Sequence, residues 1–81
     1  MSEQKKLIQL KAGEVAKVVS VVGGMQFQRK LESLGIRVGT KLTNVSSHFW
    51  RGPVTVRVNQ SSVAIGHGMA SKIVVEIEWK K

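Results

Sequence analysis

The clearest pattern in the chain is the alternation of valine with polar residues at positions 54–58. The three valines fall on one face of a strand, and Thr55 and Arg57 fall on the other. A polar turn and a short returning strand follow, so residues 53–65 predict a β-hairpin. The pattern is typical of an antiparallel sheet with one buried face.

Three more segments predict strands because they are rich in β-branched residues: 15–22, 40–45 and 72–79. The alternation in the first of them is imperfect, which predicts a bulge or a twist near Val18 and Val19. Residues 7–10 predict a short strand or bridge, and residues 66–71 a single helical turn. Residues 1–6 are polar, and we expect them to be frayed.

Residues 25–34 have apolar positions at helical spacing, with Phe27, Leu31 and Leu34 on one face. Gly35 stands where the helix would end, and a glycine there adopts the left-handed conformation without steric cost. Gly39 then predicts a turn into the next strand. The stretch 29–42 therefore predicts a helix, a stop, a turn and a strand.

These elements predict a mainly β fold of about five strands, with one inserted helix at 25–34 and a helical turn before the last strand. Closing so short a sheet into a small barrel would remove its two exposed edges. A chain of 81 residues predicts a single domain spanning 1–81.

Charge and composition limit the kinds of partner and site that the protein can have. The formal net charge is +8, which favours an acidic partner such as nucleic acid, anionic lipid or an acidic protein face. There is no cysteine, so disulfides, thiolate metal sites and cysteine nucleophiles are excluded. No segment approaches the length of a membrane-spanning helix or a signal peptide, and we expect a soluble, cytoplasmic protein that does not span the membrane.

A series of short motifs follows in a fixed order along nearly the whole chain. They are Leu7 and Leu10, Gly13-Glu14, Val18, Gly23-Gly24, Arg29-Lys30-Leu31, Leu34-Gly35-Ile36, Gly39-Thr40, Gly52-Pro53-Val54, Val56, Val63-Ala64-Ile65, Ala70, Ile73-Val74-Val75 and Glu76. In this order they resemble the FeoA family, small cytoplasmic partners of bacterial ferrous iron transport that have an SH3-like barrel. The chain departs from the family at Val38, where a proline is frequent.

The resemblance implies an accessory role based on protein binding. FeoA-like proteins act with FeoB, a membrane ferrous iron transporter with a cytoplasmic GTP-binding domain. A similar domain occurs at the C-terminal side of iron- and manganese-dependent repressors. Neither setting makes the domain an enzyme, and the resemblance implies no cofactor.

Candidate chemistry in the sequence is sparse. There is no Ser/His/Asp set, and the glutamates are spread over different elements, so we predict that the protein is not an enzyme. No glycine-rich loop ending in Lys-Ser or Lys-Thr is present, so GTP should bind elsewhere. Because the resemblance implies a role in iron transport, we consider transition metal binding by His48 and His67. They share no spacing signature, however, and we predict no tight ferrous site.

Two clusters are candidates for partner binding. Arg29, Lys30 and Arg37 should point outward from the helix and its stop, either as a solvated face or as a contact for an acidic patch of the transporter. Phe49, Trp50 and Arg51 have the composition of an interface anchor, although Trp50 could instead cover one barrel end. The structural positions of the motif are Leu31, Leu34, Gly35, Gly39, Gly52 and Pro53.

Other partners remain open. Small basic barrels also bind RNA or DNA, and an aromatic residue beside arginine suits base stacking, although the basic residues here are dispersed. The charge would equally suit anionic lipid, including recruitment to the inner face of the membrane. Weak self-association is a further alternative.

Overall fold

The computed structural model describes residues 2–45 and 52–78. Within these ranges the chain forms strands and short helices in a mainly β arrangement. In chain order they are β1 (Ser2–Lys6), a 3₁₀ helix (Leu7–Gln9), β2 (Val15–Val21), α1 (Met25–Ser33), β3 (Lys41–Asn44), β4 (Val54–Val58), β5 (Ser61–Ile65), α2 (His67–Ala70) and β6 (Ile73–Glu78).

The six strands form one antiparallel sheet in the order β1-β6-β2-β3-β4-β5. The predicted mainly β class, the inserted helix and the helical turn before the last strand are confirmed. The sheet has one strand more than predicted. Within the described residues the backbone ladder runs from β1 to β5 without joining these two strands.

The extra strand is β1, so the prediction of fraying at 1–6 is wrong for residues 2–6. Its backbone pairs with β6 in a continuous register from Ser2 opposite Glu78 to Lys6 opposite Val74. The polar sequence Ser-Glu-Gln-Lys-Lys suits an edge strand, where charged side chains discourage pairing with other chains. Its strand conformation depends on a pairing with a segment far away in sequence.

The segment at 7–10 is also different from the prediction, because Leu7–Gln9 is a 3₁₀ helix and not a strand. Its turn is closed by the N–H of Leu10, which donates to the C=O of Leu7 at 3.1 Å. Residues three apart lie on the same side of such a helix. Leu7 and Leu10 are therefore both buried in the core.

The core lies on the inner face of the sheet, where alternate strand residues meet the buried side of α1 and the two shorter helices. Asn44 is the one buried polar residue of the described part of the chain. Its side-chain Nδ2 donates to the C=O of Leu10 at 2.7 Å. The core residues are Leu7, Leu10, Ala16, Val18, Leu31, Ile36, Leu42, Val54, Val56, Val58, Ile65, Ala70, Ile73, Val75 and Ile77.

The irregularity predicted in β2 is confirmed. The pairing of β2 with β6 shifts register between Val18 and Ser20. Val18 is fully buried, whereas Val19 and Val21 are half-buried. The bulge thus directs part of β2 toward the helix side of the molecule, where the candidate site lies.

Candidate partner-binding site

The stop after α1 is a Schellman motif. The N–H of Ile36 donates to the C=O of Leu31, and the N–H of Gly35 donates to the C=O of Glu32, both at 2.9 Å. Gly35 has a φ of 87°, in the left-handed region. Ile36 is fully buried and joins Leu31 in the core. The predicted glycine stop and the return of Ile36 onto the helix are confirmed.

A tight turn follows at residues 37–40. The N–H of Thr40 donates to the C=O of Arg37 at 3.0 Å, and the Thr40 hydroxyl accepts from the Arg37 N–H at 3.1 Å. Gly39 has a φ of 98° at the third position, as a type II turn requires. Val38, at the second position, is 63% exposed.

Backbone hydrogen bonds fix this turn to β2. The N–H of Gly39 donates to the C=O of Val18 at 2.8 Å, and the N–H of Val18 donates to the C=O of Thr40 at 2.9 Å. Both bonds involve the last paired residue before the bulge. The turn, the end of α1 and the bulge are therefore held in one arrangement.

Between these parts lies a groove with a volume of about 430 Å³. Its apolar wall combines half-buried valines of β2 with buried Leu31 and Ile36, and Val38 stands at its rim. Polar side chains complete the lining, with one acid and one base among them. The lining residues are Val19, Ser20, Val21, Gln28, Leu31, Glu32, Ile36, Arg37 and Val38.

The first turn of α1 is held by Phe27, which packs against the core. The Nζ atom of Lys72 lies 5.5 Å from the centroid of the Phe27 ring, within the range of a cation–π contact. The N–H of Val22 also donates to the C=O of Lys72 at 2.7 Å. Both contacts join the start of α1 to the segment before β6, so both ends of the helix are anchored.

The predicted cations are all exposed, but the structure does not place them together. Arg37 lines the groove. Around α1, at 100° per residue, Arg29 falls next to the flank of Gln28 and Glu32, whereas Lys30 falls on the flank away from the groove. Arg29 and Arg37 thus border the site, and Lys30 lies outside it.

The second predicted cluster, Phe49, Trp50 and Arg51, lies outside the described residues, as do His48 and Trp79. Its role stays a prediction. Of the remaining motif positions, Leu34 packs partly against the core, and Gly52 and Pro53 directly precede β4.

Within the described ranges no group of three or more His, Asp or Glu side chains could hold a metal ion. His67 is half-buried in α2. None of the helices in these same ranges is long and apolar enough to cross a bilayer.

The sequence reasoning missed most residues of the groove, above all Val38, Glu32 and the valines of β2. A signal was present at Val38, an apolar residue at the tip of a predicted turn. The β2 valines could be assigned to the groove only when the bulge and the position of α1 were known together.

Comparison with solved structures defines the class of fold. A crystal structure of an iron uptake regulatory protein, FeoA, matches with a TM-score of 0.84 and 30% identity, over 90% of this chain and 96% of the other. A manganese-dependent transcriptional repressor matches with a TM-score of 0.84 and 20% identity, over 96% of this chain and 44% of the repressor. This match shows a shared fold. The protein is a small SH3-like β domain, as predicted.

Sequence comparison then gives the family. The FeoA domain model matches residues 5–77. An Fe(2+) transport protein A of Methanocaldococcus jannaschii is 38% identical over 66 residues. The match covers 82% of this chain and 78% of that protein. The solution structure of FeoA from Chlorobium tepidum has a TM-score of 0.80 at 33% identity and covers 90% of this chain and 70% of that one. The chain belongs to the FeoA family of ferrous iron transport accessory proteins.

Proposed function

We propose that the protein binds the cytoplasmic part of a FeoB-like membrane transporter with a GTP-binding domain, and that it regulates ferrous iron uptake in this way. Membership of the FeoA family supports the iron transport role. The observation that carries the binding proposal is the groove between α1, β2 and the turn at 37–40.

The groove combines the features of a protein contact. Its volume of about 430 Å³ is enough for one or two apolar side chains of a partner. Val38 is exposed at its rim, and its apolar surface would be buried on binding. Since the groove is held by hydrogen bonds between turn and strand, little ordering is needed when the partner enters.

Charge supplies the orientation. Arg29 and Arg37 border the groove, and a partner with acidic residues beside an apolar anchor would meet both. Such exposed charges raise the association rate and its salt dependence more than they add affinity. Arg29 and Arg37 are therefore expected to guide the partner, and Val38 and the valines of β2 to hold it.

The test is a titration of the purified transporter domain with this protein by isothermal calorimetry at about 150 mM salt, near physiological ionic strength. Arg29→Glu with Lys30→Glu should weaken binding while leaving thermal stability nearly unchanged, since both residues are exposed. Arg37→Glu alone should weaken binding more than this double variant does, because Arg37 lines the groove. Lys30→Glu alone should have the smallest effect on binding.

The matched control is Lys11→Glu with Arg57→Glu, which changes the net charge equally at exposed positions that do not line the groove. This variant should bind like the wild type. The proposal fails if the wild-type protein does not bind the domain, or if control and α1 variants lose affinity equally.

Binding to RNA or DNA is the alternative class, and the comparisons do not favour it. A mobility-shift assay at the same salt separates the two. If the protein binds RNA at this salt and does not bind the transporter domain, nucleic-acid binding becomes the favoured function.

A further inference from the structure

The outer face of the sheet carries a second basic surface, apart from α1. It consists of Lys17 in β2, Lys41 in β3 and Arg57 in β4, on three adjacent strands, and is called the outer-face cluster below. All three side chains are exposed. Their neighbours along each strand point into the core, so the whole cluster faces solvent.

The strand register places these cations side by side. Lys17 is directly opposite Lys41 in the pairing of β2 with β3. Arg57 is opposite Thr43, two positions from Lys41 on the same face. Directly opposite like charges lie about 5 Å apart at their Cβ atoms and destabilise a sheet. The repulsion within this lysine pair is offset in part by Glu76, which is opposite Lys17 in β6, and an anionic ligand would offset it further.

Apolar side chains accompany the cations. Val15 is 53% exposed and is opposite Thr43, and Val45 is 47% exposed and donates its N–H to the C=O of Thr55 in β4 at 2.9 Å, so both lie beside the cluster. None of β2, β3 and β4 contains an acidic residue. The nearest acid in register is Glu76 of β6, which is opposite Lys17.

We propose that the outer-face cluster binds the surface of an anionic phospholipid bilayer. The three cations bind the phosphates and carboxylates of the lipid headgroups. The exposed valines enter the boundary between the headgroups and the acyl chains. Single-stranded nucleic acid is the less suitable ligand for this face, since β2, β3 and β4 contain no aromatic residue on which bases could stack.

The cluster and the groove use different ends of β2. Lys17 lies before the bulge on the outer face, whereas Val19, Ser20 and Val21 line the groove. Lipid binding therefore does not rest on the proposed transporter contact.

The test is sedimentation with sucrose-loaded vesicles of phosphatidylcholine containing about one-third phosphatidylserine, at about 100 mM salt and without any transporter. Each Lys or Arg near an anionic surface is worth about fivefold in the partition coefficient. Lys17→Gln with Lys41→Gln should thus lower binding about 25-fold. Lys11→Gln with Lys30→Gln removes the same charge from a turn and from α1, outside the outer face of the sheet, and should change binding less than about twofold.

Two further measurements complete the test. Val15→Ser with Val45→Ser should lower binding several-fold, and this loss should persist at higher salt because it is not electrostatic. The proposal is overturned if the wild type does not sediment with anionic vesicles. It is also overturned if the two lysine variants lose binding equally, which would assign the effect to net charge, or if a single-stranded RNA oligomer binds the cluster more tightly than the vesicles do.

Discussion

Replacing Gly35 tests whether the stop after α1 depends on its left-handed conformation. The φ of 87° is one that side chains with a Cβ rarely adopt, and the cost of forcing it is about 1–2 kcal/mol. A Cβ at Gly35 would meet only Val58 Cγ1, at 3.8 Å, an ordinary contact. The cost is therefore backbone strain without a steric clash.

Gly35→Ala should consequently reduce the free energy of unfolding by about 1–2 kcal/mol, which corresponds to roughly 5–15 °C in Tm for a domain of this size. Gly35→Val should cost more, because a β-branched side chain is the least tolerant of this conformation. Gly35→Asn should cost less than Gly35→Ala, since asparagine enters the left-handed region more readily.

The assay is urea unfolding followed by circular dichroism, with Gly68→Ala as the control. Gly68 lies within α2, its φ is outside the left-handed region, and nothing lies within 4 Å of an added Cβ. That variant should not lower the free energy of unfolding, because alanine is the better helix former. If Gly35→Ala is as stable as Gly68→Ala, or if Gly35→Asn is less stable than Gly35→Ala, the strain argument is wrong.

Three further changes test other parts of the fold by the same unfolding measurement. Val38→Pro should stabilise by about 0.4–1 kcal/mol, because proline fits the second position of the type II turn; destabilisation would contradict that turn assignment. Asn44→Ala should cost about 2 kcal/mol by removing the buried hydrogen bond to Leu10, and an unchanged midpoint would refute this role. Gly23→Ala should destabilise more than Gly35→Ala, since its φ is 151° and its Cβ would lie 2.8 Å from Phe27 Cδ2; the reverse order would contradict it.

Local patterns predicted the parts of the fold whose physics is local. The valine alternation of β4, the glycine stop at Gly35 and the bulge at Val18 follow from side-chain periodicity and backbone sterics, and all three are confirmed. β1 could not be predicted in this way. Its residues are polar, and it becomes a strand only through pairing with β6.

The candidate site was predictable in part. That Arg29 and Lys30 would be exposed followed from the apolar face of α1, and the exposure of Arg37 followed from its place after the helix stop. That only Arg37 lines the groove depends on the turn at 37–40 being bound to β2, a contact between distant segments. The lysine pair of the outer face likewise required the register of β2 with β3, which the alternation of either strand alone does not specify.

The most direct test of the central claim is to map the transporter contact residue by residue. Amide shifts of the ¹⁵N-labelled protein should be recorded while unlabelled transporter domain is added. We expect the largest changes at the groove, in Gln28, Glu32, Arg37 and Val38, and small changes at Arg57 on the outer face. No shift changes, or changes concentrated away from the groove, would contradict the proposed mode of binding.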